Sequence, residues 1–178
     1  MSNNHFPEIK TERLLLRRLK YSDWEIISFL RSDKIVNKYV DRPSARTQTE
    51  ANDFIKRINN NFETSKSFYW CISKCDNNEM IGSICLWNIS EDQKTAEVGY
   101  DLCPNFQGKG IMSEALKSIL TYGFNNLNLE KIEAFTHFEN ESSRRLLVKN
   151  NFILIEGRTD DDNKNNVIYV IENKQASS

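Results

Sequence analysis

Two glycines separated by one residue, beside the start of an amphipathic helix, are the clearest chemical signal in the sequence. Gly108 and Gly110 lie in a loop that leads into a helix predicted over 109–127. Glycines allow a ligand to approach the backbone closely. The N–H groups in the first turn of a helix lack partners and favour an anion. The pattern therefore indicates a phosphate or pyrophosphate site, although a turn role alone also explains such a pair.

This loop matches neither of the two common nucleotide-binding patterns. The Lys-Ser/Thr ending of a P-loop is absent, and the third glycine of a dinucleotide fingerprint is missing. A nucleotide-binding α/β protein is therefore disfavoured.

One carboxylate in a central strand is a candidate general base. Glu97 lies within a strand predicted over 94–103, where side-chain alternation places Glu97, Gly99 and Asp101 on the same face. A carboxylate so placed can take a proton from an amine, directly or through water. We predict this role for Glu97. A surface ion pair is the alternative, and Asp101 is a weaker candidate.

A second candidate pair lies at the start of a helix predicted over 140–150. Asn140 is a good N-cap residue, and Ser143 then occupies the third helical position. This structural role alone can explain both residues.

The elements alternate in a way that favours a mixed sheet covered by helices. We expect an α+β fold in the order β-α-α-β-β-β-α-β-α-β-β, with about seven strands and helices on both faces. A single domain is expected over 9–172, with flexible tails at 1–8 and 173–178. The predicted strands are 13–19, 67–74, 79–89, 94–103, 131–137, 152–158 and 166–172. Helices are expected from residue 24, over 47–63, over 109–127 and over 140–150.

Charge and composition exclude several classes of protein. The chain has 24 Lys and Arg against 25 Asp and Glu, so it lacks the basic excess of a nucleic-acid binder. No apolar run has membrane-spanning length, and the first residues do not resemble a signal peptide. A cytoplasmic location without membrane contact is expected.

The four cysteines have no metal-binding spacing and no neighbouring histidine, so no metal site is expected. We interpret them as small buried apolar residues, and they are Cys71, Cys75, Cys85 and Cys103. A covalent acyl-enzyme on Cys103 is not expected, because no histidine flanks it.

The string AEVGYDLCPNFQGKGIMSEAL at 96–116 resembles the coenzyme-binding core of the GNAT superfamily of N-acetyltransferases. Its Q/R-x-x-G-x-G/A motif is matched at Gln107 and Gly110, while Met112 departs from the small final residue. Two further segments, TERLLLRRL at 11–19 and the N-x-x-S string that begins at Asn140, resemble the branch of ribosomal-protein alanine N-acetyltransferases.

The end of that branch pattern carries one substitution with a structural consequence. Asn151 stands where relatives have glycine, and asparagine is the next best residue for a left-handed helix end. We therefore expect the geometry to survive.

The resemblance implies a coenzyme site and two catalytic groups. The amides of the loop would bind the pyrophosphate of acetyl-CoA, the pantetheine would lie along the preceding strand, and an amide within 101–103 would polarise the thioester carbonyl. Glu97 would act as base, and Ser143 would protonate the thiolate, since Leu147 occupies the usual tyrosine position. The implied coenzyme-binding residues are Leu102, Cys103, Gln107, Gly108, Lys109, Gly110, Ile111, Met112, Ser113 and Asn140.

The implied activity is acetyl transfer from acetyl-CoA, as cosubstrate and without a metal, to a primary amine in a ternary complex. The acceptor is a protein N-terminus or a small amine such as a polyamine, an amino acid or an antibiotic. A coenzyme A-binding sensor without turnover is the alternative. The protein is expected to be a monomer or a homodimer.

Overall fold

The computed structural model describes residues 5–173, and this part of the chain forms one sheet with helices on both sides. Its helices are α1 Trp24–Ser32, α2 Gln48–Glu63, α3 Ile111–Asn125 and α4 Glu141–Lys149. Its strands are β1 Ile9–Lys10, β2 Leu14–Arg17, β3 Phe68–Lys74, β4 Met80–Trp87, β5 Thr95–Leu102, β6 Lys131–His137, β7 Ile153–Leu154 and β8 Asn166–Glu172. The predicted α+β class is confirmed, and β6 and β8 have the predicted bounds.

The residues described by the structure form eight strands, not about seven. The additional strand is β1, whose two residues pair with β2. The fold begins before residue 9, because Phe6 is buried and its ring lies 4.9 Å from that of Phe62. The Trp70 indole N–H donates to the Pro7 carbonyl at 2.7 Å. The tails expected at 1–8 and 173–178 otherwise fall on residues 1–4 and 174–178, outside the described residues.

The strand order in the sheet is β1-β2-β3-β4-β5-β6-β8-β7. All neighbouring pairs are antiparallel except β5 and β6, which are parallel because α3 returns the chain between them. This confirms that the sheet is mixed, as the order of the elements predicts. The β5–β6 pairing covers only Thr95–Glu97 against residues 131–133, whereas β4 pairs with β5 as far as Leu102. Beyond residue 97, β5 and β6 diverge and leave a wedge.

The two faces of the sheet bury different helices. Trp70 and Ile72 of β3 pack in the cluster that contains Leu116 and Ile119 of α3. Cys71, between them, packs in the other cluster, with residues of α1 and α2 such as Ile55. Burying a large apolar side chain stabilises the fold by roughly 1.5–3 kcal/mol, so the alternation along β3 fixes which face each helix covers.

The helix that follows β6 ends as the sequence predicts. Asn151 has a left-handed backbone, with φ of 67°. The Phe152 N–H donates to the Leu147 carbonyl and the Asn151 N–H to that of Val148, both at 3.0 Å. These two bonds form a Schellman motif, and they turn the chain sharply after α4.

Asp23 lies at the N-cap of α1 but does not cap it with its side chain. Its carboxylate accepts two hydrogen bonds of 2.8 Å from the guanidinium of Arg17, and both side chains are buried. The backbone N–H of Lys20 donates to the same carboxylate at 2.8 Å. A carboxylate in a buried, bidentate pair is worth more to the fold than an exposed helix cap.

The cysteines differ in burial. Cys71 and Cys103 are buried and Cys85 is half-buried, while Cys75 is exposed because it follows the end of β3. The expectation that all four are buried is therefore wrong for Cys75. Between residues 5 and 173, no helix has both the length and the apolar character required to cross a bilayer.

Candidate active site

The loop between β5 and α3 is open to solvent at its two glycines. Gly108 and Gly110 have left-handed backbones, with φ of 73° and 76°, and Gly110 is the N-cap of α3. A β-carbon added at Gly108 would meet no atom within 4 Å. Other residue types rarely adopt this conformation, so the glycines fix the shape of the loop and leave space in front of it.

Six consecutive backbone N–H groups in this loop have no acceptor within residues 5–173. They belong to residues 108–113, and the first bonded amide after them is that of Glu114, which donates to the Gly110 carbonyl at 3.1 Å. Unpartnered amides at a helix N-terminus attract an anion through their dipoles and through hydrogen bonds. Such a run of donors is long enough to hold more than one phosphate oxygen.

Two side chains of the loop are bonded to the protein itself. The Gln107 side-chain amide donates to the Leu102 carbonyl at 3.0 Å, and the Lys109 ammonium donates to the Asn105 carbonyl at 2.8 Å. The Lys109 carbonyl accepts a hydrogen bond of 3.1 Å from Arg13. Gln107 therefore ties the loop to the end of β5.

The negative charge of an acidic residue in the first turn of α3 is balanced by an ion pair. Glu114 accepts hydrogen bonds from the Thr11 hydroxyl at 2.6 Å and from the Arg13 guanidinium at 2.7 Å. Burial opposes ionisation of Glu114, but these hydrogen bonds outweigh it and lower its pKa. The T-E-R string before β2 thus fastens the helix and keeps this carboxylate from repelling an anion.

The remaining residues of the first turn point their side chains into the protein. Ile111, Met112 and Ser113 are buried, and the Ser113 hydroxyl donates to the Asn150 side chain at 3.1 Å. These three residues therefore offer their amides, not their side chains, to the loop surface.

The edge of β5 along the wedge presents backbone groups. The Cys103 N–H donates to the Ile81 carbonyl at 2.9 Å, and its carbonyl accepts from the Phe106 N–H at 2.9 Å. Antiparallel pairing alternates, so residues 99, 101 and 103 bond toward β4, and residues 100 and 102, which lie beyond the last β5–β6 pair, face the wedge. Of the three candidates within 101–103, only Leu102 directs its amide there.

A pair of hydroxyl groups spans the wedge between β5 and α4. The oxygens of Tyr100 and Ser143 lie 2.8 Å apart. The Asn140 side chain caps α4 by accepting from the Ser143 N–H at 3.2 Å. Burial raises the pKa of Tyr100 to about 12, although the bond to Ser143 opposes this. Tyr100 is therefore protonated at neutral pH. Leu147 is fully buried and takes no part.

Glu97 lies at the closed end of the wedge, where the last β5–β6 pair joins it to Glu133. Burial raises the pKa of the Glu97 carboxyl, and the charges of Glu133 and Asp160 add to this effect. A hydrogen bond from the Asn88 amide to Glu97 and the charge of Arg158 oppose it. A carboxyl with a raised pKa is a stronger proton acceptor once ionised.

Asp101 is engaged in a network of its own. Its carboxylate accepts from the Arg42 guanidinium at 2.9 Å and from the Ser83 hydroxyl, which in turn accepts from the Tyr69 hydroxyl at 2.7 Å. Asp101 thereby tethers the connection between α1 and α2. Both of its carboxylate oxygens are engaged in these contacts, so the geometry favours a structural role for Asp101.

Cys103 is not poised for nucleophilic chemistry. Burial raises the pKa of its thiol to about 11, so the thiol carries its proton at neutral pH. The thiolate, not the thiol, is the nucleophile in cysteine chemistry.

Comparison with known proteins gives a consistent result. The family model for the acetyltransferase (GNAT) domain matches residues 13–153. The uncharacterised N-acetyltransferase p20 of Bacillus licheniformis is 36% identical over 137 residues, which are 77% of each chain.

Solved structures have the same fold. An acetyltransferase of the GNAT family from Bacillus anthracis superposes with a TM-score of 0.78 and 28% identity, over 93% of this chain and 98% of that one. RimL, a ribosomal α-N-protein acetyltransferase solved with coenzyme A, superposes with a TM-score of 0.80 and 21% identity, over 93% of this chain and 98% of that one. The start of α3 with its free amides, the wedge in the mixed sheet and the match to the family model agree, and the chain belongs to the GNAT family of N-acetyltransferases.

Proposed function

We propose that this N-acetyltransferase moves the acetyl group of acetyl-CoA to the primary amine of an acceptor bound in the same complex. The observation that carries the proposal is the run of six free amides at 108–113, next to the open edge of β5. Phosphate needs donors of this kind, and an extended amide-containing arm suits a free strand edge.

The residues present suit two parts of coenzyme A, the pyrophosphate and the pantetheine arm. The amides of residues 108–113 would hold the pyrophosphate, and the amides of residues 100 and 102 would face the pantetheine arm. The side-chain N–H groups of Asn140 have no acceptor within residues 5–173 and would donate to the same arm from α4. Acetyl-CoA supplies the acetyl group as a thioester.

An amide on the open edge of β5, that of Tyr100 or of Leu102, is the group proposed to polarise the thioester carbonyl, and Tyr100 lies nearer to Glu97. The direction of both amides follows from the alternation along β5, in which the neighbouring Cys103 amide is bonded to β4. A preorganised N–H aimed at a developing oxyanion typically contributes about 3–4 kcal/mol to lowering a barrier of this type.

Glu97 is proposed to remove the proton from the acceptor amine as the C–N bond forms and the C–S bond breaks. Free α-amines have a pKa of about 7.7–8, and lysine amines have a pKa of about 10.4. An α-amine therefore needs less help at neutral pH. The raised pKa of Glu97 brings its basicity closer to that of the amine.

The Ser143–Tyr100 pair is proposed to return a proton to the departing thiolate. Ser143 would donate its proton to sulfur and take one from Tyr100 across the 2.8 Å bond. Protons and charge then balance, because Glu97 releases the proton it has accepted to solvent and the Tyr100 phenolate takes one proton from solvent. The neutral thiol of Cys103 supports direct transfer without an acyl-enzyme.

Two acceptor classes occur among the relatives. RimL is named as an α-N-protein acetyltransferase, and a relative from Escherichia coli, 29% identical over 138 residues, is named as a spermidine N(1)-acetyltransferase. We propose a protein N-terminal amine, because several solved structures with this fold are named as ribosomal-protein acetyltransferases.

The test compares wild type with Glu97→Gln by steady-state release of free thiol from acetyl-CoA. We expect kcat/KM for the amine to fall by about 100-fold or more, the usual worth of a general base, with coenzyme affinity unchanged. Glu130→Gln, at a surface pair with Lys94, is the matched control.

The pH dependence of the same reaction tests the direction in which the pKa of Glu97 is shifted. Because the folded pKa of Glu97 is raised, activity should increase as pH rises through a value above the ordinary glutamate pKa of about 4.3. This limb should vanish in Glu97→Gln, while the limb of the amine itself remains. Equal turnover and an unchanged profile would remove Glu97 from the mechanism. Coenzyme binding without thiol release for any amine would favour a sensor.

A further inference from the structure

The face of the sheet that carries Glu97 also holds a cavity. It has a volume of about 230 Å³ and lies between the last turns of α2 and the strands β3 and β4. Its lining residues are Ile58, Asn61, Lys66, Ser67, Tyr69, Cys85, Trp87 and Asn88. The volume is below the roughly 300–1,000 Å³ of pockets for drug-sized ligands, so it suits one ring or one branched chain.

One residue that lines the cavity also contacts the proposed base. This residue is Asn88, which donates a hydrogen bond to Glu97. Trp87 is the register partner of Glu97 across β4 and β5, and Cys85 is that of Gly99. A β-carbon at Gly99 would lie 3.7 Å from the Trp87 indole nitrogen and 3.2 Å from the Cys85 sulfur. The absence of a side chain at Gly99 thus leaves the indole lying along the strand beside Glu97.

The walls of the cavity are mostly apolar and aromatic. The Tyr69 hydroxyl is bonded to Ser83, so this residue presents its ring. Burial raises the pKa of Cys85 to about 12, so its thiol is neutral. The indole of Trp87 remains 49% exposed. An aromatic face without a protein partner beside a polar reaction centre is a common feature of ligand pockets.

The charge of the cavity selects among amines. Lys66 is the one charged lining residue, and no carboxylate lines the space. A second ammonium group placed there would lose its hydration and be repelled by Lys66. A polyamine is therefore a poor fit, whereas an uncharged ring or branched chain gains from burial.

We propose that this cavity is a specificity subsite for the acceptor, and that it takes the apolar ring or branched aliphatic group of a monoamine whose nitrogen lies at Glu97. This inference rests on the proposed acetyl transfer and names its substrate class. The same chemistry occurs in a free arylalkylamine and in a peptide that begins with an aromatic or branched residue.

The first experiment measures kcat/KM for acceptors that differ only in this group. Phenethylamine is compared with ethylamine and putrescine, and a peptide amide beginning with phenylalanine is compared with one beginning with alanine. One buried methylene is worth roughly 10–200-fold in such discrimination, so we expect at least about tenfold preference for the aromatic member of one or both sets. The two arms distinguish the free amine from the peptide.

The second experiment alters the cavity. Ile58→Phe fills it, and Trp87→Ala removes its aromatic wall, so each should lower the ratio of kcat/KM between phenethylamine and ethylamine about tenfold. Tyr21→Ala, which removes an exposed aromatic side chain just before α1 and outside the lining of the cavity, should leave the ratio unchanged. Thermal protection by acetyl-CoA verifies that each variant is folded.

The outcomes separate this inference from the proposed function. Equal use of ethylamine and phenethylamine, a preference for putrescine, or ratios that Ile58→Phe and Trp87→Ala do not change would overturn the subsite while leaving acetyl transfer intact. Absence of turnover with every amine, despite coenzyme protection, would overturn both.

Discussion

Tyr100 is a residue that strand alternation places on the α3 side of the sheet but does not mark as functional. Its partner, Ser143, is 43 positions away in sequence, and only the packing of α4 over the wedge brings the two hydroxyls to 2.8 Å. By contrast, alternation along β5 alone places the side chain of Glu97 on the opposite face of the sheet from that of Tyr100. What the sequence does not reveal is the raised pKa of Glu97, because it depends on burial and on Glu133 and Asp160.

The hydroxyl pair gives a prediction at this scale. Ser143→Ala and Tyr100→Phe should each lower kcat by about 100-fold or more, because general acid catalysis contributes of that order. If the two act as one proton path, the double variant should be little slower than either single variant. Steady-state thiol release measures this.

A chemically identical change elsewhere serves as the control. Tyr122→Phe removes a hydroxyl from a ring that packs on Trp70, away from the wedge, and should keep wild-type kcat. Wild-type kcat in both Ser143→Ala and Tyr100→Phe would assign the proton to water instead.

At the scale of elements, the sequence predicts helix α3 but not the hydrogen bonds that hold its start in place. Its apolar period indicates a helix over 109–127, and the structure places it at Ile111–Asn125, a difference typical of frayed ends. The bonds from Gln107 to Leu102 and from Glu114 to Thr11 and Arg13 join residues that no local pattern connects. The sequence thus predicts the anion site but not how its shape is held.

The loop gives a prediction with an internal reference. Gly110→Ala and Gly157→Ala both place a side chain on a left-handed backbone of φ 76°, and each should cost about 1–2 kcal/mol of stability. Only Gly110→Ala should also weaken coenzyme A binding, by about tenfold, because charge-assisted bonds to the loop amides are lost. Thermal melts and calorimetric titration measure the two effects.

The comparison between these glycines decides the interpretation. Equal coenzyme affinity in the two variants would mean that the loop shape around Gly110 does not matter for binding.

At the scale of the whole molecule, the wedge is the feature that joins the two halves of the site. The order of elements predicts a β-α-β unit and parallel pairing, but it does not predict that pairing stops at the third residue. The tether between Arg42 and Asp101 and the contact of the Tyr39 ring with His137, at 5.2 Å, bring the α1–α2 connection to both sides of this opening. Such contacts depend on tertiary packing, so sequence pattern cannot supply them.

The most direct measurement is a titration of nitrogen-15-labelled protein with coenzyme A, followed by amide chemical shifts. We expect the largest changes at residues 108–113, whose N–H groups have no acceptor within residues 5–173, and a second group of changes at Leu102 and its neighbours along the open edge of β5. Unchanged shifts at 108–113 in the presence of saturating coenzyme would contradict the central claim that these amides hold its pyrophosphate.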